Sequence, residues 1–294
     1  MASVAWRGEE EHQLFLLPPQ DPRYWSEVAA AFADLQTCLL LSRIRLVLLA
    51  PGQMPPDGAF ALPLCSWGYH LHPETWVGML DKLEARNVRL LNSSSAIRWN
   101  MYKSYLVALA RQGLPVIPSV VLDKANAADL DHLRGEFQSD LLVVKPLIGA
   151  CASGTLLLSA DETTPLKAPV IVQPYMDQIT VEGELSLIFL GGAFSHAICK
   201  TPRTGDFRVQ VEHGGRVVGI EPPLDALVAA HRILEAAPSD LAYARVDLVN
   251  DGGGKYQLME LELIEPQLFL DHAPLNGLRL GRAIHDGFRA GPLY

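Results

Sequence analysis

Four cysteines in 294 residues, Cys38, Cys65, Cys151 and Cys199, leave no pair spaced as a CxxC or Cys/His zinc motif. They read as reduced thiols, in the core or near a site, of a cytoplasmic protein. Basic residues are also scarce, 24 Lys and Arg against 33 Asp and Glu, a net charge of −9. Without a basic excess a general nucleic-acid partner is not expected. No apolar run approaches the roughly 18–20 residues of a membrane span, and the most apolar stretch, 39–50, is broken by Arg43 and Arg45. No membrane partner is expected either. The start, MASVAWRGEEEHQ, has neither signal-peptide nor transit-peptide character. A Walker GxxxxGK[ST] loop, a GxGxxG fingerprint and an internal repeat are all missing. The 21 prolines and 23 glycines are scattered, so no linker block stands out.

What remains is an apolar chain: 49% hydrophobic, 19% charged, mean hydropathy +0.14. Such a chain can bury a sizeable core, as one large domain or two to three small ones. The first third alternates strand candidates (13–17, 44–49, 59–64, 88–91) with helical patterns over 24–41 and from Pro73, which predicts an open α/β unit with a parallel sheet. Asn92-Ser93-Ser94-Ser95 is a cluster of helix N-cap residues, and one long helix is expected over 95–112, ending at Gly113. Strands follow over 116–122 and 140–145, then a loop of small residues at 149–155 and strands over 156–159 and 169–175. The last third predicts strands over 184–190, 193–199, 208–211 and 216–218, a helix over 223–235, two long strands over 242–249 and 256–264, and a final helix over 275–288.

Two features carry chemistry. Gly149-Ala150-Cys151-Ala152-Ser153-Gly154-Thr155 follows a strand ending in Lys145, so backbone N–H groups can approach a polyanion closely beside a neutralising ammonium. The second is sharper. Successive strand residues face opposite sides, so Arg245 shares a face with Asp247, and Glu260 with Glu262, while Leu261 and Leu263 turn inward. Three converging carboxylates beside one arginine repel unless cations hold them, and Mg²⁺ accepts one or two carboxylates plus phosphate oxygens. Between these features Gln173-Pro174-Tyr175-Met176 reads as a connector, with Glu184 entering the next strand. Lys200 and Arg208 flank a polar loop, and Arg208 is favoured over Arg203 because it begins a strand. His70, His196 and His213 are candidates for substrate contact, and Trp99, Tyr102 and Tyr105 are read as packing.

Taken in order, Lys103, Lys145, the small-residue loop, the Gln-Pro-Tyr-Met connector, Glu184, Arg-Val-Asp and Glu-Leu-Glu resemble the ATP-grasp ligases, over roughly 92–290. Trp67-Gly68-Tyr69-His70, Arg98-Trp99-Asn100 and Glu260-Leu261-Glu262-Leu263-Ile264-Glu265-Pro266 resemble the subgroup that includes D-cycloserine synthetase. The chain departs from the wider family at Glu262, where asparagine is commoner, and from the subgroup at Leu64 and Gly68. The resemblance implies an ATP-grasp fold, α/β with α+β lobes: an N-terminal α/β unit (1–91), a small lobe with a linking helix (92–175) and a C-terminal lobe with the metal site (176–294). It implies ATP and Mg²⁺, two ions, as cofactors. Lys103, Lys145, Gly149, Ala150, Ser153, Gly154 and Thr155 would hold phosphates. Gln173, Pro174, Tyr175 and Met176 would receive adenine, and Glu184 the ribose. Asp247, Glu260 and Glu262 would hold Mg²⁺, with Arg245, Arg208 and Lys200 acting on the transferred group. The implied activity is carboxylate–amine ligation through an acylphosphate on a small amino-acid-like substrate with an amine nucleophile, inter- or intramolecular, in a setting such as antibiotic biosynthesis. Phosphoryl transfer without amide formation, and nucleotide binding without catalysis, are the alternatives. A homodimer is compatible with the resemblance, and the role of Glu265 is left open.

Overall fold

The computed structural model describes residues 12–40, 42–150, 152–160, 162, 169–203, 205–206, 208–209, 214–239, 241–273 and 277–289. Cys151, His213 and half of the strand expected over 208–211, residues 210–211, lie outside them. Three sheets organise the described chain. The first is parallel, with β1 (His12–Leu16) between β2 (Ile44–Leu48) and β3 (Phe60–Leu62), and β4 (Arg89–Leu90) beyond β3. Both faces of β1 are covered, as parallel sheets require. Leu14 and Leu16 pack with Val28, Leu35 and Leu39 of α1 (Trp25–Leu40) and with Leu280 and Ile284 of α8 (Leu278–Arg289). Phe15 packs on the other side with Trp76, Leu80 and Leu83 of α2 (Pro73–Ala85).

The second sheet is antiparallel, in the order β11 (Arg216–Ile220), β10 (Ala193–Thr201), β9 (Glu184–Leu190), β12 (Tyr243–Asn250), β13 (Tyr256–Glu262). Ala244, Val246 and Leu248 turn to the core beneath α7 (Leu224–Ala236), which leaves Arg245 and Asp247 for the opposite face. The third sheet, also antiparallel, runs β5 (Val120–Leu122), β8 (Val170–Pro174), β6 (Leu142–Pro146), β7 (Leu156–Leu158). It is backed by Leu130 and Leu133 of α5 (Ala127–Phe137). A short α6 (Gln178–Val181) leads from this sheet towards β9. No helix among the described residues is long and apolar enough to cross a membrane.

Two expectations fail here, each for a tertiary reason. The single helix over 95–112 is two helices, α3 (Ser94–Met101) and α4 (Ser104–Arg111). Tyr102 between them is extended (φ −101°, ψ 116°), and the Lys103 N–H donates to Leu147 O at 2.8 Å instead of continuing the helix. Nothing in 95–112 is a helix breaker, so the interruption is imposed by the contact with 147. The break leaves Tyr102 exposed rather than packed. The strand over 116–122 is likewise reduced to β5, because Val116 instead bridges to Leu258 of β13.

That bridge belongs to a larger device. β13 is an edge strand, and an uncovered edge leaves unpaired backbone groups. Here segment 115–117 and three polar side chains cover it. Leu258 N–H donates to Pro115 O (2.7 Å) and Ile117 N–H to Leu258 O (3.1 Å). The Tyr105 hydroxyl bonds both the N–H and the C=O of Leu261 (2.8 and 3.0 Å). Asn100 donates to Leu261 O and accepts from the Leu263 N–H (2.8 and 2.9 Å). Asn92 donates to Leu263 O and to Tyr243 O (2.7 and 2.9 Å) and accepts from the Ala242 N–H (2.8 Å). Asn92 is thus a buried clasp rather than a helix cap; the cap of α3 is Ser93, whose Oγ accepts from the Ala96 N–H. Replacing Asn92 with alanine strands several buried backbone groups, so Asn92→Ala is expected to lose about 3 kcal/mol of unfolding free energy. Urea denaturation checks this; a loss below about 0.5 kcal/mol would mean that the clasp carries no weight.

Candidate active site

A cavity of about 850 Å³ opens between the face of the second sheet that carries Arg245 and Asp247, the end of β6, and the α3–α4 break. Its floor follows from strand register. On β12 and β13, Arg245 lies opposite Glu262 and Asp247 opposite Glu260. Strict alternation would put Leu258 on the same face as Glu260. A bulge between Asp247 and Leu248 on one side, with Met259 as the extra residue on the other, lets Leu258 and Leu261 both enter the core. On the neighbouring strands Ser186 pairs in register with Asp247, and Glu184 with Lys200. One row of polar side chains therefore crosses β10, β9, β12 and β13.

Most of that row is neutralised internally. Lys200, buried on β10 and not solvated in a loop, pairs with Glu184 and reaches Asp247 at 3.6 Å. Arg245 holds Asp247 at 2.9 Å and also pairs with Glu262. The Ser186 hydroxyl donates to Asp247 at 2.5 Å. From above, the α3–α4 break delivers Lys103, whose ammonium donates to Gly149 O (2.9 Å) and pairs with Glu260 (2.5 Å). Burial raises the Asp247 pKa, but Arg245 and Lys200 outweigh it and bring the carboxyl down to about 2. Glu260 likewise falls below its usual range, because Lys103 and Lys145 overcome burial. Glu262 goes the other way, to about 7, since burial and two neighbouring carboxylates exceed the pull of Arg245.

Two charged groups stand outside this pairing. Lys145, at the end of β6, lines the cavity with no ion-pair partner among the described residues, and burial lowers its pKa. Glu265, just beyond β13, also lines the cavity without a cation partner; burial and Glu262 push it up to about 8.

Gly149, Ala150, Ser153 and Thr155 line the same cavity, as do Gln173, Pro174, Tyr175, Met176 and Glu184. Gly154 does not. It has φ +72° and packs against Pro146, where a Cβ would come within 2.9 Å of Cγ, so it shapes the loop from behind. In the connector the Tyr175 N–H is spent on Leu141 O (3.0 Å), whereas the Met176 N–H has no partner among the described residues. Arg208 lines the cavity mouth in irregular backbone, half-exposed, its guanidinium forked onto Asp206 (2.9 and 3.1 Å). His70 and His196 are not among the lining residues, and His196 is held by Leu268 O at 2.8 Å. Sequence reasoning missed Ser186 and the clasp residues Asn100 and Tyr105; a lone serine or asparagine in an apolar run carries no signal that it will meet a carboxylate or a strand edge.

Among the described residues no three His, Cys, Asp or Glu side chains are grouped to hold a metal ion. The carboxylates expected to do so are turned towards Arg245, Lys200 and Lys103.

No protein-family model matches the chain. The cycloserine biosynthesis protein DcsG of Streptomyces lavendulae is 30% identical over 221 residues, 67% of this chain and 73% of the relative. The chain belongs to the ATP-grasp ligase family. It is therefore an enzyme, a carboxylate–amine ligase with the α/β ATP-grasp fold. The crystal structure of D-cycloserine synthetase DcsG superposes with a TM-score of 0.80 at 23% identity, covering 94% of this chain and 99% of that one. D-alanine–D-alanine ligase from Bacillus anthracis, complexed with ATP, gives 0.67 at 16% identity over 95% and 98% of the two chains. The ATP-grasp ligase PsnB, complexed with a precursor variant, Mg and ADP, gives 0.63 at 14% identity over 94% and 99%. ATP-grasp structures thus hold ATP, or ADP with Mg.

The raised carboxyls imply a pH dependence of stability. Glu265 titrates at 4.5 in the ordinary case and at about 8 when folded, so the folded protein keeps a proton that the unfolded chain releases. Its contribution is full below pH 4.5 and is lost as the pH rises through 8. The melting temperature of the ligand-free protein is expected to fall between pH 5 and pH 8, and Glu265→Gln to flatten that slope. An equal slope in both proteins would show that the carboxyl is not held as described.

Proposed function

We propose that this ATP-grasp ligase activates the carboxylate of a small amino-acid-like substrate as an acylphosphate and passes the acyl group to an amine. Bound ATP supplies the phosphoryl group and leaves as ADP. The observation that carries the reading is Lys145: a half-buried ammonium that makes no ion pair among the described residues and lines the same cavity as a loop of small residues and the carboxylate row. A half-buried cation of this kind is stabilised by an anion such as a phosphate.

Each residue's role follows from its place. Lys103 and Lys145 hold phosphate oxygens as point charges, and Gly149, Ala150, Ser153 and Thr155 cover them, the Ser153 and Thr155 N–H groups being bonded within the loop to Ala150 O and Ala152 O. Gly154 keeps that loop folded onto Pro146. Gln173, Pro174, Tyr175 and Met176 form the adenine wall, where the Met176 N–H is available to the base edge. Glu184 offers its carboxylate to ribose, with Lys200 as its neutralising partner. Asp247, Glu260 and Glu262 would hold Mg²⁺, two ions, as hard oxygen donors. These carboxylates now sit on cations, and Mg²⁺ needs only one or two of them besides phosphate oxygens, so the donor set fits once Lys103 and Arg245 turn to the incoming phosphate. Arg245 and Lys200 then neutralise charge on the transferred group, and Arg208 closes over it from the cavity mouth. The apolar walls keep water from the activated carboxylate.

The substrate class rests on likeness to relatives named for amino-acid chemistry, cycloserine biosynthesis and D-alanine–D-alanine ligation. An intramolecular ring closure and a two-substrate ligation both fit.

Purified protein with Mg-ATP and a panel of amino acids, amines and ureido amino acids is expected to release ADP and phosphate. Glu260→Gln should lower the rate by about a hundredfold or more, with circular dichroism unchanged, and a chelator should stop turnover. ATP binding without ADP release on the whole panel would reduce the chain to a nucleotide-binding protein. A phosphorylated product without a new C–N bond would make it a phosphotransferase. Lys145→Met is expected to raise KM for ATP by about tenfold; an unchanged KM would remove Lys145 from the nucleotide site.

A further inference from the structure

The cavity extends past the carboxylate row towards the N-terminal sheet, and there its chemistry changes. Glu184, Asp247, Glu260 and Glu262 each hold a lysine or arginine. Glu265 does not. Among the described residues only its own backbone N–H bonds the carboxyl, although the residue is nine-tenths buried. Tyr69, 5% exposed, lines the same cavity, and its hydroxyl has no hydrogen-bond partner among the described residues. Glu265 is the neighbouring charge that acts most strongly on that hydroxyl.

Both groups are held in place by features that do not involve their polar atoms. The Trp67 indole N–H donates to Glu265 O at 3.3 Å, which ties the segment after β13 to the N-terminal unit. Gly68 has φ +87°, and a Cβ there would lie 2.6 Å from Asp21 Cβ, so the turn that aims Tyr69 inward requires glycine. Leu64 and Cys65 complete an apolar lining. A carboxyl and a phenol held in place in this way, facing the cavity and bonded to no other side chain among the described residues, are groups that a ligand can complete.

The ligand's sign follows from the site. Glu265 keeps its proton in the ligand-free cavity; an arriving ammonium favours its ionised form, and a phenol oxygen accepts an N–H. Lys103 acts on Glu265 through space but is bonded to Glu260 and Gly149 O, and Lys145 is acted on first by burial and then by Glu260, Lys103, Glu184 and Asp247. An amino acid laid with its carboxylate among the cations of the row would carry its ammonium towards Glu265.

We propose that the Glu265 carboxylate and the Tyr69 hydroxyl form the subsite that binds the protonated amino group of the amino-acid substrate. The proposal rests on the ligase reading for the substrate's orientation, and it makes the pair a specificity determinant: amino acids enter, while the corresponding hydroxy acids and N-acylated acids are rejected.

The test is a calorimetric titration of the whole protein, with Mg²⁺ and a non-hydrolysable ATP analogue present. The probes are the common L- and D-amino acids, their 2-hydroxy analogues such as lactate and glycerate, and their N-acetyl derivatives. Wild type is expected to bind at least one amino acid about tenfold or more tightly than its hydroxy analogue. Glu265→Gln should cut that preference to about threefold or less while the affinity for the ATP analogue is retained, which shows that the fold stands. Tyr69→Phe should weaken the amino acid and leave the hydroxy acid unchanged. A wild type without the preference, a panel with no amino acid bound, or a Gln variant that keeps the preference would each overturn the subsite. ADP release measured in parallel separates the two readings. Preferential binding without ADP release on any amine defeats the ligase reading and leaves the subsite. ADP release equal for amino and hydroxy acids defeats the subsite and leaves the ligase.

Discussion

The edge of β13 is the constraint on which the site depends. An edge strand must have its free N–H and C=O groups met, and here Asn92, Asn100, Tyr105 and the segment 115–117 meet them one after another. Asn100 and Tyr105 lie on either side of Lys103. Both are bonded to the Leu261–Leu263 backbone, and the break between them, where the Lys103 N–H turns to Leu147 O, points Lys103 at Glu260. A packing requirement of a sheet edge thus sets the position of a charged side chain.

The second organising force is charge. A buried carboxylate is tolerated when a cation and hydrogen bonds offset its lost hydration. Asp247 is the extreme case, with Arg245, Lys200 and Ser186 all upon it. The same pairing offsets the mutual repulsion of the row in the ligand-free protein, and in the proposed reaction its cations would pass to phosphate. Next to this row Lys145 and Glu265, one of each sign, line the cavity without an ion pair among the described residues. Their incompleteness carries more information about ligands than the completed pairs do.

Much of this was legible locally. Alternation along 244–247 and 260–263 places Arg245 with Asp247 and Glu260 with Glu262, because a strand's period of two is a property of the backbone itself. The same holds for the amphipathic helices and for the small-residue loop after Lys145. Other readings failed where a distant segment overrode local preference. The helix over 95–112 has no breaker and is broken by a bond to Leu147. Asn92 looks like a cap and is a clasp.

Residue type and period along the chain therefore determined which side chains would share a face and which strands would carry carboxylates. The tertiary structure decided which carboxylate meets which cation, where the α3–α4 break falls, and that Glu265 and Tyr69 are left facing the cavity unpaired. The reason is separation: Lys103 and Glu260 are 157 residues apart. No local period encodes a contact made only when an edge strand, a helix and a loop close on one another.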